Sequence, residues 1–354
     1  MAPVVRELEK YPDRIASLVC VTAQHREMLD QVLDSFGIVP DVDLDLMQPG
    51  QTLPELTARV LVKMTQVLDQ VQPDWVLVQG DTTTVMVTAL AAFYQRIPVG
   101  HVEAGLRTHK RYSPFPEEIN RRIADVLATL YFAPTPTAAQ ALVAENVPPE
   151  AIYVTGNTVI DALQWAVAQP PPSSLAPWMA DLAGKRVVLV TAHRRENFGP
   201  AFAQICLGLR DLARRNPDVA LVYPVHLNPR VQAPVHKILG DEAREHLIPP
   251  QPYLAFAHLM QRADIVLTDS GGIQEEAPAL GKPVLVMRAD TERPEAVAAG
   301  TAKLIGPDAA AIVAESERLL HDAEAYAVMA NAVSPYGDGH AAERIVDVLL
   351  RNED

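Results

Sequence analysis

Short apolar runs rich in valine, isoleucine and leucine alternate along the chain with longer stretches in which apolar residues recur every three or four positions. The first pattern suits strands buried in a parallel sheet and the second amphipathic helices, so their alternation predicts an α/β protein. Strands are expected over 15–22, 75–79, 99–102, 131–133, 152–154, 186–191, 220–223, 265–268, 284–287 and 302–304, and helices between them, for example over 26–36, 53–71 and 201–215. Residues 3–10 also read as a helix, with Val4, Val5 and Leu8 in one stripe, yet no strand precedes it. A doubly wound domain ordinarily opens with a strand that becomes central in its sheet.

The run Pro170-Pro171-Pro172-Ser173-Ser174 breaks the pattern and reads as a semi-rigid linker. It divides the chain into a first domain over 1–168, a second over 169–335 and a closing helical segment over 336–354, expected to pack back on the first. A length of 354 residues with 49% hydrophobic content favours two cores over one. The net charge of −14 argues against nucleic acid or an anionic membrane as the main partner, so any bound anion must be held locally. Cys20 and Cys206 lie far apart in apolar runs and read as buried thiols of a reducing compartment. No apolar run reaches the length of a membrane span and no signal peptide is recognised, so the expected location is the cytoplasm.

Chemistry concentrates where strands end. The strand over 265–268 runs through Asp269 into Ser270-Gly271-Gly272 and then a helix. Such a junction presents backbone N–H groups and lets a phosphate approach closely. Glu275 and Glu276 follow one turn later, placed to accept hydrogen bonds from sugar hydroxyls, so a nucleotide sugar satisfies both halves. Asp81 and Glu103 follow two strands of the first domain, at the carboxyl ends where open α/β sheets bind ligands. Glu117 opens a helix behind Pro114-Phe115-Pro116. Sugar chemistry without metal or redox cofactor needs such positioned acids and bases. Asp81 also reads as a helix N-cap and Glu117 as a simple N-terminal charge. Arg121 lies four residues beyond Glu117 on the same face, placed to hold that acid, while Ile119, Ile123 and Leu127 form the expected buried stripe. In the second half, His193, Arg194 and Arg195 follow one strand, His226 another, and Arg293 sits in a charged loop after a third. Histidine and arginine opposite a phosphate cradle suit diphosphate neutralisation, and a zinc site on His193 and His226 is the alternative. Gly337-Asp338-Gly339 imitates a dinucleotide fingerprint but follows Pro335-Tyr336 instead of a strand, and no Gly-x-Ser-x-Gly elbow or phosphate-loop Gly-Lys-Ser/Thr is present.

Taken in order, Thr22-Ala23-Gln24-His25-Arg26, Gln79-Gly80-Asp81-Thr82-Thr83, His101-Val102-Glu103-Ala104-Gly105-Leu106-Arg107-Thr108, residues 114–121, His193-Arg194-Arg195-Glu196-Asn197, residues 269–276, Arg293-Pro294-Glu295 and Pro335-Tyr336-Gly337-Asp338-Gly339 form a specific set. Through them nearly the whole chain resembles the non-hydrolysing UDP-N-acetylglucosamine 2-epimerases. The resemblance implies a fold like the B-type glycosyltransferases, with two doubly wound Rossmann-like domains, UDP in an interdomain cleft, a homodimer, and no cofactor, metal or nicotinamide. It implies conversion of UDP-GlcNAc to UDP-ManNAc by elimination of UDP to 2-acetamidoglucal and re-addition. By the same resemblance Asp81, Glu103 and Glu117 are the acid–base candidates, Arg121 and His193 line the site, Ser270, Gly271 and Gly272 hold the diphosphate with Arg293 nearby, and Glu276 takes the ribose hydroxyls. Gln24, Arg194 and His226 resemble positions around a second, activating UDP-GlcNAc site. Family members begin with a strand and Gly-Thr-Arg-Pro-Glu, and Met1 falls just after that motif, so the first domain is expected to lack a central strand and a phosphate-side arginine. A hydrolysing epimerase, a glycosyltransferase on the same fold and an inactive UDP-sugar binder remain alternatives.

Overall fold

The computed structural model of the chain describes residues 1–23, 26–48, 50–240 and 245–352. Its strands are β1 (Cys20–Val21), β2 (Val42–Asp43), β3 (Val76–Gln79), β4 (Val99–Val102), β5 (Leu130–Ala133), β6 (Ile152–Val154), β7 (Arg186–Thr191), β8 (Val219–Pro224), β9 (Glu245–Ile248), β10 (Ile265–Thr268), β11 (Val284–Val286) and β12 (Ala302–Leu304), joined mostly through helices. All the pairings described are parallel. The chain forms two compact units, Met1–Ala162 with Tyr336–Asp354, and Leu163–Pro335, dividing inside the helix Thr158–Ala168.

In the second unit six strands lie in the order β12-β11-β10-β7-β8-β9. The unit's first strand, β7, therefore sits beside its fourth, β10, and the chain winds away from this pair in both directions. Loops leaving the carboxyl ends of such a pair diverge and open a crevice, the usual ligand position in doubly wound sheets. The sheet is held by a continuous core in which Val188, Val190, Leu221, Ile265 and Leu267 meet Phe202, Ile205 and Leu209 of the helix Pro200–Arg215. Each such side chain, taken wholly from water, contributes about 1.5–3 kcal/mol. Tyr223 is buried in this core, and its hydroxyl donates to the Ala192 carbonyl at 2.6 Å.

The first unit carries a four-stranded sheet, β3-β4-β5-β6, and a separate parallel pair, β1-β2. The strand expected over 15–22 shrinks to two residues, because only Cys20 and Val21 have ladder partners, in Val42 and Asp43. The helix Ala2–Leu8 buries Val4 and Leu8 against Ile345, Val346 and Leu349 of the closing helix Ala341–Arg351. Beside it Met1 packs against the same core. The glycine-rich segment ahead of the closing helix is a turn braced by an Arg344–Asp338 pair at 2.7 Å. No helix among the described residues is long and apolar enough to cross a membrane.

Candidate active site

In the first unit, β3 and β4 deliver Asp81 and Glu103 side by side. Gly80 ties the two strand ends together, its N–H donating to the Val102 carbonyl at 3.0 Å. Gly80 itself has a φ of +80°, and a Cβ placed there would lie 3.5 Å from Glu103 Oε2, so the carboxylate rests against this glycine. Glu103 has a φ of +66°, in the left-handed region. Holding a non-glycine residue there costs about 1–3 kcal/mol, a strain that the surroundings must impose. Asn157 Nδ2 lies 3.5 Å from Glu103 Oε1. Asp81 is not the cap of its helix; Thr82 is, accepting from the Val85 N–H, and this leaves the Asp81 carboxylate to pair with Arg121.

The helix Glu117–Leu127 overturns one expectation. Its buried residues are Glu118, Asn120, Arg121, Ala124 and Asp125; of the expected stripe Leu127 packs against the core and Ile119 is half-buried, whereas Ile123, with Val126, is exposed. Polar side chains face inward because each has a fixed task. Glu118 accepts the backbone N–H groups of Thr108 and His109 at 3.0 and 3.1 Å, Asn120 Nδ2 donates to the Asp81 carbonyl at 3.0 Å, and Arg121 pairs with Asp81 and lies 3.6 Å from Glu118. Arg121 thus holds Asp81 and not, as its spacing suggests, Glu117, which sits half-buried in the first helical turn. Asp125 is bonded to His101 Nδ1 at 2.6 Å and to Arg107 at 2.7 Å, both in the interior. Neither His101 nor Asp125 stands out in the sequence, where one reads as part of a strand and the other as a helix-surface charge.

In the second unit the crevice between β7 and β10 is stitched by Asp269, which is wholly buried. It accepts the backbone N–H groups of His193 at 2.9 Å and Arg194 at 2.8 Å, and Asn197 Nδ2 at 3.1 Å. This fixes the His193 loop against Ser270-Gly271-Gly272. A Cβ on Gly271 would meet Arg194 Nη2 at 3.8 Å, so a cation already borders the glycines. His193 stacks on His226 with ring centroids 5.3 Å apart, and burial lowers the pKa of His193. Gln274 bonds Ser270 and Thr291, at 3.0 and 2.6 Å, joining the glycine turn to the loop after β11. Arg293 in that loop pairs with Glu275. Glu276 is buried, accepts the Tyr253 hydroxyl at 3.0 Å, and is pushed by burial up to about pKa 7. Tyr253, like Asp269's full set of contacts, is legible only once the loops are assembled. Gln24, the remaining sequence candidate, lies outside the described residues.

The family model described as UDP-N-acetylglucosamine 2-epimerase matches residues 6–350. A Salmonella typhimurium protein named UDP-N-acetylglucosamine 2-epimerase is 57% identical, the match covering 99% of this chain and 94% of that protein. An Escherichia coli K12 protein of the same name is 56% identical, over 99% of this chain and 95% of that protein. The crystal structure of the Neisseria meningitidis UDP-GlcNAc 2-epimerase bound to UDP-GlcNAc superimposes with a TM-score of 0.90 at 50% identity, covering 99% of this chain and 96% of that one. The chain therefore belongs to the UDP-N-acetylglucosamine 2-epimerase family.

Proposed function

We propose that this enzyme interconverts UDP-GlcNAc and UDP-ManNAc without releasing free sugar. The observation that carries the reading is the placement of Asp81 and Glu103 against one strained, clamped turn at the ends of β3 and β4. In the forward direction a carboxylate takes the C2 proton while the C1–oxygen bond to UDP breaks, and the freed electron pair becomes the C1–C2 double bond of 2-acetamidoglucal. A second acid then delivers a proton to the opposite face of C2, and the UDP oxygen returns to C1. Two faces require more than one proton-handling group, and Asp81, Glu103 and Glu117 supply them, with Arg121 orienting Asp81. The second unit holds the leaving group: Ser270, Gly271 and Gly272 take the diphosphate, flanked by His193, Arg194 and Arg293, while Glu276 takes the ribose hydroxyls. Arg194 and His226, with Gln24, are the candidates for a second, activating nucleotide-sugar site.

The decisive assay is incubation with UDP-GlcNAc in heavy water. UDP-ManNAc carrying deuterium at C2, with no free ManNAc, is the expected outcome; free sugar would favour hydrolysis, and absence of exchange would reduce the chain to a binder.

A homodimer is the proposed assembly, supported by apolar side chains on the outer surfaces of three helices: Val62, Phe93, Tyr94, Ile123 and Val126 are all exposed. Sedimentation of the purified chain at the monomer mass would remove it. The cytoplasm is the proposed compartment, in keeping with two cysteines that form no disulfide.

A further inference from the structure

His101, at the centre of β4, has no solvent exposure and uses both ring nitrogens. Nδ1 lies 2.6 Å from Asp125 Oδ1 and Nε2 lies 2.8 Å from the Gly80 carbonyl oxygen. A carboxylate and a carbonyl are both acceptors, so both nitrogens must donate and the ring is an imidazolium. The charged groups around it fit that state. Asp125 comes from the helix Glu117–Leu127, and its second oxygen receives Arg107 at 2.7 Å. Arg107 in turn binds Glu145 at 2.8 and 3.0 Å, and Glu103 ends the histidine's own strand. Burial alone would discharge the ring; the bond to Asp125 outweighs it and the pKa of His101 rises while that of Asp125 falls.

We propose that His101 is a positioning residue for the acid–base centre: its imidazolium, anchored by Asp125, grips the Gly80 carbonyl and so fixes the turn that carries Asp81 beside Glu103. Gly80 is then held at both ends, by Val102 through its N–H and by His101 through its C=O. Asn120 and Arg121 hold the next residue from the helix that also supplies Asp125. The inference rests on the acid–base reading of Asp81 and Glu103 given above.

Three measurements test it. Nitrogen NMR of protein labelled at histidine should show one ring still protonated on both nitrogens above the pH at which an ordinary histidine loses its proton. His101→Phe fills the space without a donor; kcat and C2 exchange should fall together by about 100-fold, the size of effect known for small misplacement of reacting groups, with KM within about threefold. In Asp125→Asn the new amide donates to Nδ1 and accepts from Arg107, leaving a neutral ring that still donates from Nε2. Its NMR signal should change to that tautomer, and kcat should stay at least about tenfold above that of His101→Phe. A singly protonated ring in the native protein overturns the proposal, even where His101→Phe fails to fold. So does unchanged kcat in His101→Phe, or an equal loss in Asp125→Asn. Full C2 exchange in Glu103→Gln, with the doubly protonated ring in place, would instead remove the acid–base reading and with it the role assigned to the turn.

Discussion

Glu276 offers the sharpest quantitative check on the second unit, because its burial makes opposite demands on stability and on binding. Its pKa is raised to about 7 from an ordinary 4.5, with burial as the first cause. Below pH 4.5 the carboxyl is protonated in folded and unfolded chains alike. Between there and pH 7 the folded chain keeps a proton that the unfolded chain has lost, so stability falls as pH rises through this window. Each pH unit weighs about 1.4 kcal/mol, and by about pH 8 ionised Glu276 costs the fold about 3 kcal/mol. Glu276→Gln removes that slope and keeps an oxygen for the Tyr253 hydroxyl. Relative to the native chain, the variant should therefore gain about 2 kcal/mol more at about pH 8 than at about pH 5.5. For a unit the size of Leu163–Pro335 this corresponds to a difference of about 4–8 °C in the shift of its melting transition. Thermal unfolding without ligand, followed at both pH values, reads this directly. UDP affinity by calorimetry should move the other way, falling about tenfold as a charged acceptor is lost. Parallel pH profiles of native and variant chains would show that Glu276 is not held in the protonated form and would refute the reasoning.

Other substitutions probe single elements of the same scheme. Glu103→Gln should abolish deuterium incorporation at C2 while leaving UDP affinity within about twofold, since the nucleotide contacts proposed above lie in the other unit; retained exchange would remove Glu103 from the catalytic set. Gly271→Ala adds a methyl group whose nearest neighbour is Arg194 Nη2 at 3.8 Å. Melting should be unchanged and UDP affinity should fall at least about tenfold, because the methyl occupies the approach to the backbone. Gly105→Ala meets the Ala138 carbonyl oxygen at 2.3 Å at a φ of +84° and should lower stability by about 2 kcal/mol or more in urea titration, whatever ligand is present.

Much of this arrangement is legible in the sequence because apolar strands with sharp polar ends are an unambiguous signal. β4, β6, β7, β10 and β12 begin and end where the pattern puts them. The failures have physical causes. β2 is a two-residue strand of Val42 and Asp43, too short for any periodicity, and β9 is an edge strand with Glu245 and His246 where apolar residues are expected. Residues 15–18 have the composition of a strand but no ladder to join. Asp81 and Glu103, two of the proposed acid–base groups, announce themselves by following strands, whereas their supports do not. His101 and Asp125 are 24 residues apart, and the partnership of Tyr253 with Glu276 crosses 23. Such pairings depend on how loops and helices dock, information that no local window contains. The helix Glu117–Leu127 misleads most, since an amphipathic pattern reports that a helix has two faces and not which of them is turned inward.

That reversal changes what mutation does to this segment. On an ordinary surface helix the isoleucines are the fragile positions and the acids are interchangeable. Here Glu118, Asn120 and Asp125 each satisfy a polar partner within the unit, while Ile123 and Val126 are exposed. A saturation library over these eleven positions should return an inverted tolerance map, with intolerance tracking hydrophilicity instead of grease, and the polar half of the segment would be the heritable signature of the chemistry it supports.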